Sequence, residues 1–384
     1  MAGKTILVLG GGVGGLVTAN ELRKRLDKEH QVVLVDKDGQ HVFWPSLLWL
    51  QVGSRQPQDF VRDLALLEKK GIQVVKGRVE AIDPTRKVVR VDGHDLQADY
   101  LVVSLGAQLA PEQIPGLQEA GHNLYSLEGA AAIRDRRKDL TSGRVIILVT
   151  RMPFKCPAAP YEAAMLLAHD LQKRKVREQV EVAIYTPEPG PMPVTGPEVS
   201  AGVRRLIEER DIAYYPQHQV TEVDPKGQSL RFANGAEAHF DLLVYIPPHV
   251  APSVVREAGL VGESGWVPVD RTTMETLFPG VYAIGDVTGI PLPVGMPLPK
   301  AGVFAHREGE AVAQTIAAQI SSKGEPGAFD GHGECFIEVG GGKAGFGRGN
   351  FYAEPRPLIR LFNPGRHWHA GKILFEKEWL RRWF

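Results

Sequence analysis

The sequence predicts an α/β protein: two Rossmann-like, doubly wound dinucleotide-binding-type domains plus a C-terminal appendage. Three observations carry this. Continuous apolar runs such as Thr5-Ile6-Leu7-Val8-Leu9 and Val145-Ile146-Ile147-Leu148-Val149-Thr150 read as parallel strands covered on both faces. The first of them enters a glycine turn and then a helical pattern, the opening of a nucleotide-binding unit. The chain, at 384 residues, is also longer than one hydrophobic core usually serves.

The glycine turn, Gly10-Gly11-Gly12-Val13-Gly14-Gly15, fits G-x-G-x-x-G at Gly10, Gly12 and Gly15. Gly10 permits the tight turn, Gly12 lets backbone approach a pyrophosphate, and Gly15 allows close helix packing. The helix follows through Leu16, Ala19, Leu22 and Leu26, its N-terminus facing the phosphates. A second strand, Val32 to Val35, ends at Asp36, roughly 20 residues beyond the glycines, where a ribose hydroxyl is read. Asp36 and the adjacent Lys37 are therefore expected cofactor contacts. Leu101 to Ala107, with Gly106 near its tip, reads as the crossover into a second domain. Gly280-Val281-Tyr282-Ala283-Ile284-Gly285-Asp286 resembles the strand that closes the FAD domain of flavoprotein disulfide reductases, with Asp286 on the ribityl or phosphate portion. These three pieces in this order favour FAD.

The FAD-binding domain is thus expected to be split, covering 1–110 and 250–325. An inserted Rossmann-like domain, 111–249, is expected to carry strands at Val145–Thr150, Val180–Tyr185 and Leu242–Ile246, with proline-rich loops such as Pro187 to Pro193. Residues 326–384 read as a flavin-covering and membrane-contact segment: a strand over Cys335–Val339, a glycine-rich hairpin from Gly340 to Gly349, and a final helix. The inserted domain argues against a pyridine nucleotide. Arg151 to Pro160 holds no glycine, and its prolines remove N–H donors a pyrophosphate would need. The next strand ends Tyr185-Thr186-Pro187, without the acid or arginine that reads an adenosine ribose.

That turn carries Cys156, one of two cysteines; the other, Cys335, lies in the appendage. Free cysteine is most often a small buried apolar residue. Here Lys155 precedes Cys156 and a helix begins near Pro160, and a cation and a helix N-terminus both favour thiolate. A functional pair is the better reading.

Composition excludes several classes. With 45 basic and 45 acidic residues, no bulk charge recruits nucleic acid. Two cysteines are too few for a disulfide-stapled secreted scaffold. Met1-Ala2-Gly3-Lys4 enters a strand directly, leaving no room for a signal peptide, and no apolar run reaches the ~20 residues of a spanning helix. A peripheral protein on the cytoplasmic membrane is expected. His367 and His369, spaced i, i+2, suit a metal pair poorly without further ligands, so no metal site is expected.

Over nearly its whole length the chain resembles the sulfide:quinone oxidoreductase and flavocytochrome c sulfide dehydrogenase family. The resemblance rests on the N-terminal glycine motif, Phe154 to Glu162, Tyr245-Ile246-Pro247-Pro248-His249, and Gly280 to Asp286. It continues in Leu298-Pro299-Lys300-Ala301-Gly302, Glu334-Cys335-Phe336-Ile337-Glu338 and Phe375-Glu376-Lys377. It implies that Cys156 and Cys335 approach each other on one face of the flavin as a redox disulfide. Hydrosulfide attack would leave a persulfide on Cys156 and a flavin-facing thiolate on Cys335. Exchange of this kind needs an accessible sulfur and a good leaving thiolate. Glu162 is a candidate proton carrier or, equally, a carboxylate favoured at a helix N-terminus. Lys300 is a candidate for stabilising negative charge on reduced flavin. The chain departs from the family pattern in lacking a third cysteine near Asn123-Leu124-Tyr125-Ser126, and His41 to Pro45 offers none for a tether, so FAD is expected to be non-covalent.

The electron exit is expected at membrane quinone. The run Glu376 to Phe384, with Trp379, Trp383 and adjacent arginines, fits an interfacial anchor; a helix docked on its own domain or a subunit contact, hence a homo-oligomer, is the alternative. Two other functions stay open: sulfide oxidation with electrons delivered to a cytochrome partner, and a flavin-binding thiol redox sensor with little turnover.

Overall fold

A computed structural model describes residues 3–384. Met1 and Ala2, the start of the lead expected to leave no room for a signal peptide, lie outside the described residues. Among the described residues two five-stranded parallel sheets and three three-stranded antiparallel sheets organise the chain, with two short two-stranded pairs beside them. In the first parallel sheet the spatial order is Val281–Ala283, Tyr100–Val103, Thr5–Leu9, Gln31–Asp36, Gln73–Lys76. Every apolar residue of its central strand from Ile6 to Leu9 is buried, as a strand covered on both faces requires. In the second the order is His122–Asn123, Leu242–Ile246, Gly143–Val149, Val180–Tyr185, Ile212–Tyr215.

Helix Val13–Arg25 follows the glycine turn and packs against helix Gly302–Ser321. The two axes come close because both carry glycine at the crossing. A Cβ on Gly309 would stand 2.8 Å from Thr18 Oγ1 and 2.9 Å from the Gly14 carbonyl. This contact seats the Lys300–Gly302 turn beside the glycine loop, with Gly302 against Val13.

The appendage is built from strands His332–Gly340, Lys343–Asn350 and Leu358–Gly365, followed by helix Arg366–Trp383. Its tight turn is Gly340-Gly341-Gly342, all at positive φ, and the remaining glycines of the expected hairpin belong to the second strand. Helix Ala159–Lys173 of the second domain packs against strand His332–Gly340, so Ile337 and Val339 join that domain's core. The C-terminal helix instead joins the first domain's core through Trp379, Leu380 and Trp383.

This corrects the expectation of an interfacial anchor at Trp379 and Trp383. Trp379 is 4% and Trp383 1% exposed, in contact with the His41 and His306 rings. Their indoles cover apolar surface of the first domain, which removes more area from water than a headgroup layer would. The exposed large apolar residues of this helix are Leu374 and Phe375. Among the described residues no helix is long and apolar enough to cross a membrane.

Candidate active site

Cys156 sits on backbone held from three sides. Lys155 bridges to Lys300 in parallel fashion, and the Cys156 N–H donates to the Lys300 carbonyl at 2.6 Å. The Tyr125 hydroxyl donates to the Lys155 carbonyl at 2.6 Å and lies 3.2 Å from that of Cys156. The Ala159 N–H, at the start of the helix, donates to the Cys156 carbonyl at 2.9 Å. The residue itself has φ +51°, a left-handed conformation that non-glycine residues seldom adopt outside turns and functional sites.

Cys335 lies on strand His332–Gly340 opposite Gly347, whose missing side chain leaves room beside the thiol. Both cysteines are free thiols and both line one cavity of roughly 650 Å³, part of it open to solvent. Its walls are largely apolar, with Met192, Val194, Phe304, Ile337 and Leu361. The two cysteine segments are locked in register by one hydrogen bond, from the Glu338 N–H to Glu162 Oε1 at 2.8 Å.

Glu162 anchors a buried polar network. Lys372 Nζ donates to Glu162 Oε1 at 2.7 Å, with side chains 4% and 2% exposed. Glu338 is 1% exposed and lies 2.9 Å from His369 Nδ1. Burial pulls the Lys372 ammonium down, but Glu162 and Glu338 more than offset it, so it sits above the ordinary lysine value. Burial pushes the Glu338 carboxyl up.

The expected activation of Cys156 by Lys155 and the helix end needs correction. Burial pushes the thiol up to about 12, and the Glu162 charge adds to it, while Lys372 and the Ala159 N–H pull the other way. The Lys155 ammonium is turned over the Trp44 ring at 4.3 Å. Cys335 is raised as well: the residue itself is exposed, but atoms packed around its sulfur shield it from water, and the charges at Cys156 and Glu162 add to the effect. In the dithiol form both sulfurs are therefore protonated at neutral pH. Iodoacetamide is expected to alkylate Cys156 slowly up to pH 9, its rate still climbing where a free cysteine, with a pKa of about 8.5, has levelled off. A rate profile with its midpoint near pH 8 contradicts this.

The glycine loop fits a dinucleotide. A Cβ on Gly12 or on Gly106 would meet no atom within 4 Å, so both backbones border open space. Gly10 has φ +101°, and a Cβ on Gly15 would stand 1.9 Å from the Gly10 carbonyl, so neither position takes a side chain. Asp36 Oδ2 accepts from the Gly11 N–H at 2.8 Å, which places its carboxylate at the loop. Lys37 points away, exposed and 3.8 Å from Asp38. Asp286 is pushed up by burial and pulled down by Lys155 and Lys300. Nearby, His249 is buried with Nδ1 against the Pro247 carbonyl at 2.8 Å, and its Nε2 has no partner, an acceptor left for a bound group.

Lys300 is 6% exposed, not a surface lysine, and burial lowers it to about 8. Its ammonium donates to the carbonyls of Asp286 at 2.7 Å and Thr288 at 2.9 Å. In this arrangement it fastens the Asp286 turn to the Lys155 bridge.

Sequence reasoning gives no role to Lys372 or Glu338 and weighs His369 only as a poor metal partner of His367. A signal was present: His369, Lys372, Glu376, Trp379 and Trp383 recur at three- and four-residue steps, which is one helix face. Among the described residues no group of three or more metal-type ligands converges.

Residues 4–309 match the pyridine nucleotide-disulphide oxidoreductase family. A sulfide:quinone oxidoreductase of mouse mitochondria is 25% identical, covering 91% of this chain and 79% of that protein. A sulfide-quinone reductase of Aquifex aeolicus is 28% identical, covering 98% of this chain and 90% of that protein. The crystal structure of the sulfide:quinone oxidoreductase from Aquifex aeolicus superposes with a TM-score of 0.90 at 27% identity, over 99% of this chain and 91% of that one.

Proposed function

Since the chain belongs to the pyridine nucleotide-disulphide oxidoreductase family, on its sulfide:quinone oxidoreductase branch, we propose that it oxidises sulfide through Cys156 and Cys335 and passes the electrons to membrane quinone. It is an FAD-binding oxidoreductase. The observation that carries the proposal is that two thiols from distant segments line one cavity.

In the oxidised enzyme Cys156 and Cys335 form a disulfide. Hydrosulfide attacks Cys156, forming a new S–S bond there as the bond to Cys335 breaks and releases a thiolate. Lys372, whose charge favours ionisation of both sulfurs, stabilises that leaving thiolate. Bound FAD supplies the two-electron acceptor between this thiolate and quinone. Gly10, Gly12, Gly15, Asp36, Gly106 and Asp286 are assigned to holding it, without a covalent tether. Membrane contact is assigned to exposed Leu374 and Phe375, with Trp44 beside Phe43, on whose ring Phe375 packs at 5.5 Å.

An anaerobic spectrum tests this. Sulfide is expected to bleach the flavin within the mixing experiment, a soluble quinone to restore it, and NADH to bleach it far more slowly. Acid precipitation is expected to release the yellow pigment. A flavin that NADH reduces as fast as sulfide does, or that sulfide leaves oxidised, sinks the proposal.

A further inference from the structure

Two non-glycine residues at positive φ line the thiol cavity, Cys156 and Met192, each at +51°. A left-handed backbone favours glycine, so other residues persist there only where their surroundings over-determine them, and they cluster at active sites. Met192 lies in the proline-rich loop after strand Val180–Tyr185, pinned on both sides of its α-carbon. Its N–H donates to Glu188 Oε1 at 3.2 Å, and its carbonyl accepts from the Thr195 N–H at 3.0 Å and hydroxyl at 2.7 Å. Glu188 is 1% exposed, and its Oε2 accepts from the hydroxyls of Tyr161 and Thr186. Tyr161 belongs to helix Ala159–Lys173, whose first residue holds the Cys156 carbonyl, so one frame carries both strained residues. The wall contributed by the appendage is bare at one point: a Cβ on Gly347, opposite Cys335, would meet only the Cys335 carbonyl, at 4.0 Å. Glu334 and Arg348 also line the cavity, with Glu334 3.7 Å from Arg307. At roughly 650 Å³, partly open to solvent, the space exceeds what hydrosulfide alone needs.

We propose that Met192 decides which nucleophile takes the added sulfur off Cys156: its side chain narrows the cavity so that a second hydrosulfide or a small thiolate fits and a bulky thiolate does not. The inference rests on the reading of Cys156 as the persulfide carrier. The step it governs belongs to every turnover, because the Cys156–Cys335 disulfide cannot re-form while Cys156 holds the extra sulfur. A thiolate RS⁻ attacks the outer sulfur of Cys156–S–SH. A new S–S bond forms to R–S, the S–S bond to Cys156 breaks, and its electron pair stays on Cys156 as thiolate. RSSH leaves, and total charge is the same before and after. When R is hydrogen the product is hydrogen disulfide. The Cys156 and Cys335 thiolates then close their disulfide as two electrons pass to FAD, so no further oxidant is needed. A methionine suits this wall because its thioether is apolar, polarisable and slender, and a steric difference in an apolar pocket discriminates by about 10–200-fold. Glu188 and Thr195 are positioning residues, holding a side chain where glycine would sit more easily.

The test charges full-length holoenzyme anaerobically with one equivalent of sulfide, then adds a soluble quinone with either methanethiol or benzyl mercaptan as acceptor. The hydrodisulfide released is trapped by alkylation and followed by mass spectrometry. Wild type is expected to favour methanethiol at least ~10-fold, and Met192→Gly to lose that preference through a lower KM for benzyl mercaptan, within the range apolar pockets command. Met192→Leu, close in volume, is expected to keep the wild-type preference. Gly347→Ala, which adds one methyl to the bare wall, is expected to sharpen it. Melting separates selection from packing. Met192→Gly is expected to melt within ~3 °C of wild type, because glycine eases the left-handed backbone as the half-buried side chain is lost. An unchanged preference in Met192→Gly, a preference that Met192→Leu loses equally, or a loss that comes with a fall of ~10 °C or more in melting would each overturn the proposal. If sulfide fails to bleach wild type, the sulfide-site reading fails instead, and the two failures are distinct.

Discussion

Cys156→Ser and Cys335→Ser are each expected to drop sulfide-dependent flavin bleaching to the background rate while leaving FAD bound. A serine oxygen cannot form or release the S–S bond that hydrosulfide must attack, so neither variant retains a partial version of the chemistry. The flavin should stay because its cradle is elsewhere. The open backbones at Gly12 and Gly106 and the carboxylates of Asp36 and Asp286 do not involve either sulfur. Cys156 makes its positioning contacts through backbone N–H and C=O, which serine keeps. A hydroxyl facing apolar walls costs about 1–3 kcal/mol where it finds no partner, too little to unfold a protein of this size. Stopped-flow absorbance with sulfide, the visible spectrum of the purified variant and its melting temperature check the three parts. Turnover at the wild-type rate in either variant would reduce that cysteine to a packing residue.

How much of this was legible in the sequence depends on whether a feature is local. Thr5–Leu9, Val180–Tyr185 and Leu242–Ile246 are strands over the very residues whose largely apolar runs announce them, because a strand covered on both faces has few polar positions, here Thr5 and the ion-paired Glu181 near the strand starts. The glycine turn was readable for the same reason, since strand, turn, helix and Asp36 follow one another along the chain. What joins distant segments was not. That the two cysteine segments meet depends on helix Ala159–Lys173 packing on strand His332–Gly340, with Ile337 and Val339 in the core and the Glu338 N–H bonded to Glu162, and spacing carries no trace of it. Sequence adjacency told only part of the story at Lys155, which faces the Cys156 charge but turns its ammonium onto Trp44, whereas the cation acting on both sulfurs, Lys372, belongs to the last helix. Adjacency misled again in the tail. Tryptophans next to arginines suggested lipid, yet their three- and four-residue spacing with Lys372 and Glu376 puts them on the buried face, while Arg381 stays exposed.

That buried face makes the consequence of truncation large. Deleting residues 379–384 is expected to destabilise the whole FAD-binding region, not merely to detach the protein from lipid. Trp379 and Trp383 lie in the first domain's core with Phe43, Phe60 and Leu64, and large-to-small changes at buried tryptophans cost about 3–5 kcal/mol each. Losing both consumes most of the ~5–15 kcal/mol that separates folded from unfolded protein. The deletion also reaches the cofactor loop. His41 Nδ1 donates to the Gly11 carbonyl at 2.9 Å while its Nε2 accepts from the Trp379 indole N–H at 3.0 Å. Burial lowers this imidazole to about 4, so it stays neutral, and without Trp379 its Nε2 is left unpaired beside the glycine turn. The truncated protein is therefore expected to melt at least ~10 °C lower, within the few degrees per kcal/mol usual for domains of this size, and to lose FAD on gel filtration. Leu374→Ser alone should do the reverse, because its side chain is 58% exposed, whereas Phe375 also packs on Phe43 and Trp379. Melting and sulfide-driven bleaching are expected to stay near wild type in that variant, with liposome binding and activity toward long-tailed quinone reduced. A truncated protein that keeps its flavin and its melting temperature would show that the C-terminal helix contributes nothing to the first core. The lipid contact would then have to be assigned to the tryptophans after all.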